Sequence, residues 1–278
     1  MSAIDVALWD IKGKFSRCRF GACWEPRRSL CRPISPSGCE PIRETRWQKP
    51  RNTGLHGESR LKIQVGRLNI RGEMDPSGAG AGHREDNPAE DEARVRAVRE
   101  AVGDSVELMV DANCLMKYDA ALRWCKRFEP YNLMWFEEPI VHNDPGLLAE
   151  LRKQTSIPIA AGQWENFSTL CELVKAESRR LLEYSCPFSG RIHHGHESGR
   201  SGTRRFNLPV GNGDHFDLHL HAAVPNGWRA EIHVNNWLTW NVLYTEAPGP
   251  VNGWVNLSEK PGLGLELNED AVKEYRVK

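Results

Sequence analysis

Three side chains with oxygen donors, Asp111, Glu137 and Gln163, each close an apolar run, and successive members stand 26 residues apart. The runs are VELMVDAN (106–113), LMWFEEP (133–139) and IPIAAGQ (157–163). One strand-plus-helix unit is about that long, so equal steps predict three side chains at the carboxyl ends of neighbouring strands. Two carboxylates converging with a third oxygen donor suit a hard cation such as Mg²⁺, which keeps waters that a substrate can replace. A lone Asp or Glu after a strand is commonly a helix cap or a solvated loop residue. Regular recurrence on successive strands favours a metal site instead.

Such a site needs alternating strands and helices, and residues 61–177 supply them. LKIQVG (61–66) reads as a short apolar strand. Asn87, Pro88 and Glu90 form a helix start, with the Asn as cap, the Pro at the first position and the Glu placed for a capping box. The helix that follows is expected to bury Val95, Val98 and Val102 and to stop at Gly103. Asp119 is expected to open a helix with Leu122, Cys125 and Phe128 on one face. Asp144 and Pro145 are expected to open another, carrying Leu147, Leu148 and Leu151. Strands this apolar, alternating with helices, predict an α/β protein with a parallel sheet covered by helices, most simply a (β/α)-barrel. Barrels of this kind carry their active sites at the carboxyl ends of the strands.

The 278 residues suffice for one large domain or two small ones. Lys and Arg number 37, Asp and Glu also 37, so no net charge draws the chain to nucleic acid. Apolar stretches are strand-sized, which predicts no membrane partner, and the acidic start MSAIDVALWDIKGK is unlike a secretory leader. A cytoplasmic protein with reduced cysteines is expected. Cys18, Cys23, Cys31 and Cys39 lack the paired spacing of zinc sites.

The texture is not uniform. Residues 1–14 read as an amphipathic helix with Ile4, Ala7, Leu8 and Ile11 on one face. Residues 15–60 are rich in Arg, Cys, Pro and Ser, and neither they nor residues 178–206 show a period. Two readings stand: long surface loops, or a pair of compensated frameshifts. Loops that long are uncommon in a compact domain, which favours the second. The predicted organisation is a helix at 1–14, an anomalous segment at 15–60, and a partial barrel over 61–278. Within that barrel, 178–206 is anomalous and 248–278 forms a tail.

VDAN (110–113), FEEP (136–139) and AAG (160–162) resemble the third, fourth and fifth strand ends of the mandelate racemase group of the enolase superfamily. AIDVALWDIKGK (3–14) resembles the helix leading into that barrel, and PGLGLELNEDAVKEY (261–275) its tail. The resemblance covers most of 1–14, 61–177 and 207–278. It implies an incomplete barrel lacking most of the family's amino-terminal α+β capping domain. It further implies Mg²⁺ on Asp111 and Glu137, with Gln163 or Glu165 as third ligand, since the family has Glu where this chain has Gln163.

The resemblance also implies roles for groups around the metal. Lys62 of Lys62-Ile63-Gln64 matches the first lysine of a Lys-x-Lys pair and would meet a substrate carboxylate. Gln64 replaces the second, and an amide is no base. Of His215, His219 and His221, His215 is the expected base, and packing roles are expected for the other two. Glu231 matches the acid of the eighth strand. The implied chemistry is Mg²⁺-dependent removal of the proton α to a carboxylate of a small molecule. Dehydration of a sugar acid is favoured over racemisation, and a catalytically inactive fragment is the rival reading. The family's habit implies a homo-oligomer. A zinc hydrolase built on His219 and His221, or on His193, His194 and His196, leaves the 26-residue steps unexplained.

Overall fold

The computed structural model describes residues 2–19, 40–45, 60–66, 88–163, 165–176, 181–182, 208–210, 217–219, 222, 227–247, 249–251 and 254–276. The chain divides into two compact units. One comprises Arg43–Gly162 with Ser168–Glu183, and the other Met1–Ile42, Gln163–Phe167 and Tyr184–Lys278. No helix among the described residues is long and apolar enough to cross a membrane.

The first unit is a run of parallel strands with helices between them. Its strands are β1 (Glu40–Thr45, of which Arg43–Thr45 pair here), β2 (Arg60–Gln64), β3 (Glu107–Asp111), β4 (Leu133–Glu137), β5 (Ile159–Ala161) and β6 (Leu181–Leu182). Each pairs in parallel with the next in chain order. The connecting helices are α2 (Pro88–Val102), α3 (Tyr118–Phe128), α4 (Pro145–Gln154) and α5 (Phe167–Lys175). Leu108, Val110, Phe136 and Ile159 are fully buried, as strands covered on both faces require. Phe136 meets Phe128 of α3 edge-on, with ring centroids 5.8 Å apart.

The helices differ from expectation in what they bury. On α2, Val95 is buried, but Val98 and Val102 are half-buried, and Asp91, Arg94 and Arg99 take the inner positions. The reason is backbone satisfaction at the strand ends. Arg99 donates to the carbonyls of Gly103, Val106, Tyr131 and Asn132, tying α2 to the loops that enter β3 and β4. On α3, Trp124 replaces Leu122 beside Cys125 and Phe128 in the core, and Asp119 pairs with Arg123 at the surface. Asp144 caps α4 through the Leu147 amide, at 2.9 Å, as the Asp-Pro pair predicts. Leu148 and Leu151 are buried, whereas Leu147 is exposed.

The second unit joins segments far apart in sequence. It contains α1 (Ser2–Phe15), the parallel pair β7 (Leu208–Val210) and β8 (Gly227–His233), α6 (Val234–Leu243), the hairpin β9 (Pro250–Val251) and β10 (Trp254–Val255), and α7 (Glu269–Tyr275). The tail segment around PGLGLEL packs on α1. Asp10 Oδ1 accepts from the Leu263 amide at 2.7 Å, and the Cys18 carbonyl accepts from the Gly262 amide at 2.9 Å. Gly262 has φ +70°, and a Cβ there would collide with the Asp10 carboxylate. Gly13 faces Gly262 so closely that its own Cβ would lie 2.8 Å from the Gly262 Cα. The buried side of α1 is therefore that of Val6 and Gly13, while Ile4, Ala7, Leu8 and Ile11 share an exposed face.

Candidate metal centre and active site

Parallel register sets three side chains in a row: Gln64 of β2 opposite Asp111 of β3, and Asp111 opposite Glu137 of β4. Strand side chains alternate between faces, so Lys62 shares its face with Gln64, and Trp135 shares its face with Glu137. Lys62 starts one pair earlier, opposite Met109, and its length carries the ammonium up to the carboxylates. Nζ donates to Glu137 Oε1 at 2.6 Å and lies 3.4 Å from Asp111 Oδ2. All three side chains are buried.

Other groups hold the carboxylates from behind. Trp135 Nε1 donates to Glu137 Oε2 at 2.9 Å. Asn113 donates to both oxygens of Asp111, through its backbone amide and its side-chain amide, each at 2.8 Å. Gln64 Nε2 donates in turn to Asn113 Oδ1 at 3.1 Å. The chain leaves β3 and β4 through left-handed residues, Asn113 with φ 47° and Cys114 with φ 58° after β3, and Glu138 with φ 41° after β4. Non-glycine residues adopt this region rarely, and such strain gathers at functional sites. Backbone bonds from Ala112 to Glu137 and from Cys114 to Glu138 carry the pairing past the strand ends.

Glu138 points away from this row and is fully buried. Its Oε1 accepts from Asn143 Nδ2 at 3.0 Å, Oε2 has no hydrogen-bond partner among the described residues, and the Cys114 thiol lies against the carboxyl group. Burial, reinforced by the Asp111 charge, pushes its pKa up to about 7. The β2 end is fixed from α2. Asp91 accepts from the Gly66 amide at 2.7 Å, from Trp124 Nε1 at 3.0 Å and from Arg94 at 2.9 Å. Arg94 also donates to the Gln64 carbonyl at 3.0 Å.

In the second unit, Gln163 follows Gly162, whose φ of 122° belongs to glycine, and is buried; Glu165 is half-buried. Glu231 is buried in β8. His219 is buried on a helical turn at 217–219 with Nε2 3.2 Å from the Leu263 carbonyl, and burial drives its pKa down to about 4. A neutral, carbonyl-bonded ring fits the packing role expected of it. His215, His221 and the His193–His196 group lie outside the described residues, as do most of 15–60 and nearly all of 178–206. Among the described residues, no group of three or more His, Cys, Asp or Glu is placed to hold a metal ion.

Asp111 and Glu137 suit a hard cation on the evidence of their surroundings. Two anionic oxygens already converge on one cationic atom in a buried place, and the remaining oxygens are occupied by Asn113 and Trp135. The cleft between Glu107, Asn132, Leu133 and Ile157 lies instead at the amino ends of β3–β5, the face associated with stability rather than chemistry. In the sequence, Asn113 and Glu138 stand out only as members of VDAN and FEEP, and Trp135 only as an apolar member of its strand. The available signal was spacing: Trp135 stands two residues before Glu137, and a buried indole N–H needs an acceptor.

Residues 54–271 match the family model of the enolase C-terminal domain-like proteins. The chain belongs to this family and is an enolase-superfamily protein of the mandelate racemase/muconate lactonizing type, with the family's α/β, incomplete (β/α)-barrel fold. It is 29% identical over 285 residues to the L-talarate/galactarate dehydratase of Salmonella typhimurium, covering 98% of this chain and 64% of that one. It is equally similar, 29% over 285 residues, to the 3,6-anhydro-alpha-L-galactonate cycloisomerase of Streptomyces coelicolor, covering 100% of this chain and 72% of that one. A mandelate racemase/muconate lactonizing enzyme from a marine actinobacterium, solved in complex with magnesium, superposes with a TM-score of 0.77 at 27% identity, over 99% of this chain and 74% of that one. The chain thus spans just under two thirds of the first relative's length.

Proposed function

We propose that this chain removes the proton α to the carboxylate of a sugar acid and expels the β-hydroxyl, a net loss of one water, using Mg²⁺ held by Asp111 and Glu137. The carrying observation is the convergence of these two buried carboxylates on a single cationic atom at the carboxyl ends of adjacent strands. Gln163 or Glu165 supplies a third oxygen. When bound, the ion supplies Lewis-acid polarisation of the substrate carboxylate, which acidifies the neighbouring C–H. Lys62 contributes a positive charge to the oxygen that becomes more negative as the proton leaves. His215 takes that proton and returns it to the departing β-hydroxyl, and Glu231 hydrogen-bonds the substrate.

Gln64 steers the choice between outcomes. Racemisation needs a second acid–base group on the opposite side, and an amide at this position cannot serve. One histidine acting first as base and then as acid suffices for loss of water. The names of the relatives, a dehydratase and a cycloisomerase, accord with chemistry that starts at such a proton. A second reading, loss of activity, is favoured by Gln163, whose amide removes one negative charge from the donor set.

A panel of aldonates and aldarates incubated with the protein and Mg²⁺ tests this by NMR in D₂O. A 2-keto-3-deoxy acid from one of them is the expected product. Epimerised or cyclised product without it overturns the dehydration, and an unchanged panel, with no exchange of the α-proton, favours the inactive reading.

A further inference from the structure

We infer that Lys62 is the resident counter-cation of the metal centre, that Mg²⁺ must displace it from Asp111 and Glu137, and that metal loading thereby frees the ammonium for an incoming carboxylate. The inference rests on the metal reading above. It is carried by the position of Nζ, which lies 2.6 Å from Glu137 Oε1 and 3.4 Å from Asp111 Oδ2. The ammonium stands where a cation shared by these oxygens must stand. Glu137 Oε2 is held by Trp135 and both Asp111 oxygens by Asn113, so neither carboxylate has a wholly free oxygen to offer a metal elsewhere.

Charge and burial give the competition its sense. With Lys62 in place, the three buried groups sum to one negative charge. A divalent cation entering beside the ammonium would crowd two like charges in a medium that screens them poorly. Moving the ammonium out from between the carboxylates lessens that repulsion and sets two positive charges against their oxygens where one stood. The displaced side chain stays next to the metal, because its backbone is fixed by the pairing of β2 to β3. The bound metal and a free lysine are then available together to one carboxylate, which sets an order of metal first and substrate second.

The test is Mg²⁺ binding to chelator-treated protein, by calorimetry and by the Mg²⁺-induced rise in Tm, for wild type, Lys62→Met and Lys62→Arg. Lys62→Met should bind at least tenfold more tightly than wild type, with a lower metal-free Tm and a larger rise on adding Mg²⁺. Lys62→Arg, which keeps the charge, should bind no more tightly than wild type. If Lys62→Met loses its cooperative melt in chelator, saturating Mg²⁺ must restore it, and a variant that stays unfolded with Mg²⁺ contradicts the inference. Equal or weaker binding by Lys62→Met overturns the displacement while leaving the metal site standing. Absence of binding in all three proteins overturns the metal reading and this inference with it.

Discussion

Trp135 Nε1 donates to Glu137 Oε2 at 2.9 Å, two residues along the same strand and on the same face. The indole fixes the rotation of a carboxylate whose other oxygen meets Lys62. Trp135→Phe preserves most of the packing and removes only that donor. Leaving a buried carboxylate oxygen without its bond costs about 1–3 kcal/mol. The variant should melt lower in chelator, and Mg²⁺ should bind it more weakly as Glu137 loses its fixed orientation. Calorimetry beside thermal melts checks both.

Asp91 gathers three donors, the Gly66 amide, the Trp124 indole and the Arg94 guanidinium, and so joins α2 and α3 to the end of β2. Asp91→Ala strands a buried positive charge and two polar N–H groups. Breaking a buried pair on one side costs about 3–5 kcal/mol. Denaturant titration should show a loss of that size, and a loss under about 1 kcal/mol would mean that the β2 end is held by other contacts.

Much of this frame was legible because it follows from periodicity. The apolar runs ending in Asp111 and Glu137 gave both strands and the row of side chains, since parallel pairing turns equal spacing into register. The caps at Asp144 and Gly103 were legible from residue type alone. The inner face of α2 was not, because burial of Asp91, Arg94 and Arg99 depends on carbonyls and amides brought from distant loops. The lysine between the carboxylates was likewise hidden, since it needs the reach of one side chain across a neighbouring strand. The contact of α1 with the tail, set by Gly13 and Gly262, joins residues some 250 positions apart that no local pattern links.

His219 should make the fold sensitive to acid. Its folded pKa of about 4 lies below the ordinary value of 6.5, first because of burial. The unfolded chain therefore binds the extra proton more readily between these values. Stability from this group is full above pH 6.5 and is lost as pH falls toward 4, by about 3 kcal/mol at most. His219→Gln should flatten that part of the stability–pH curve measured by urea titration.

Glu138 should act in the opposite sense. Its folded pKa of about 7 lies above the ordinary 4.5, so the folded state holds the proton more tightly. In metal-free protein, stability falls as pH rises from 4.5 to 7, again by about 3 kcal/mol at most. Glu138→Gln should therefore gain on wild type at pH 8 relative to pH 5. A difference that does not change with pH would show that the carboxyl is already charged in the folded protein.

A melt followed by near-UV circular dichroism across a Mg²⁺ titration reads directly whether Asp111 and Glu137 form a Mg²⁺ site. A ligand at a hundred times its dissociation constant adds about 2.7 kcal/mol of stability. The expected result is a cooperative transition that Mg²⁺ raises in wild type and leaves unmoved in Asp111→Ala. A wild-type transition indifferent to Mg²⁺, or an equal rise in Asp111→Ala, would contradict it.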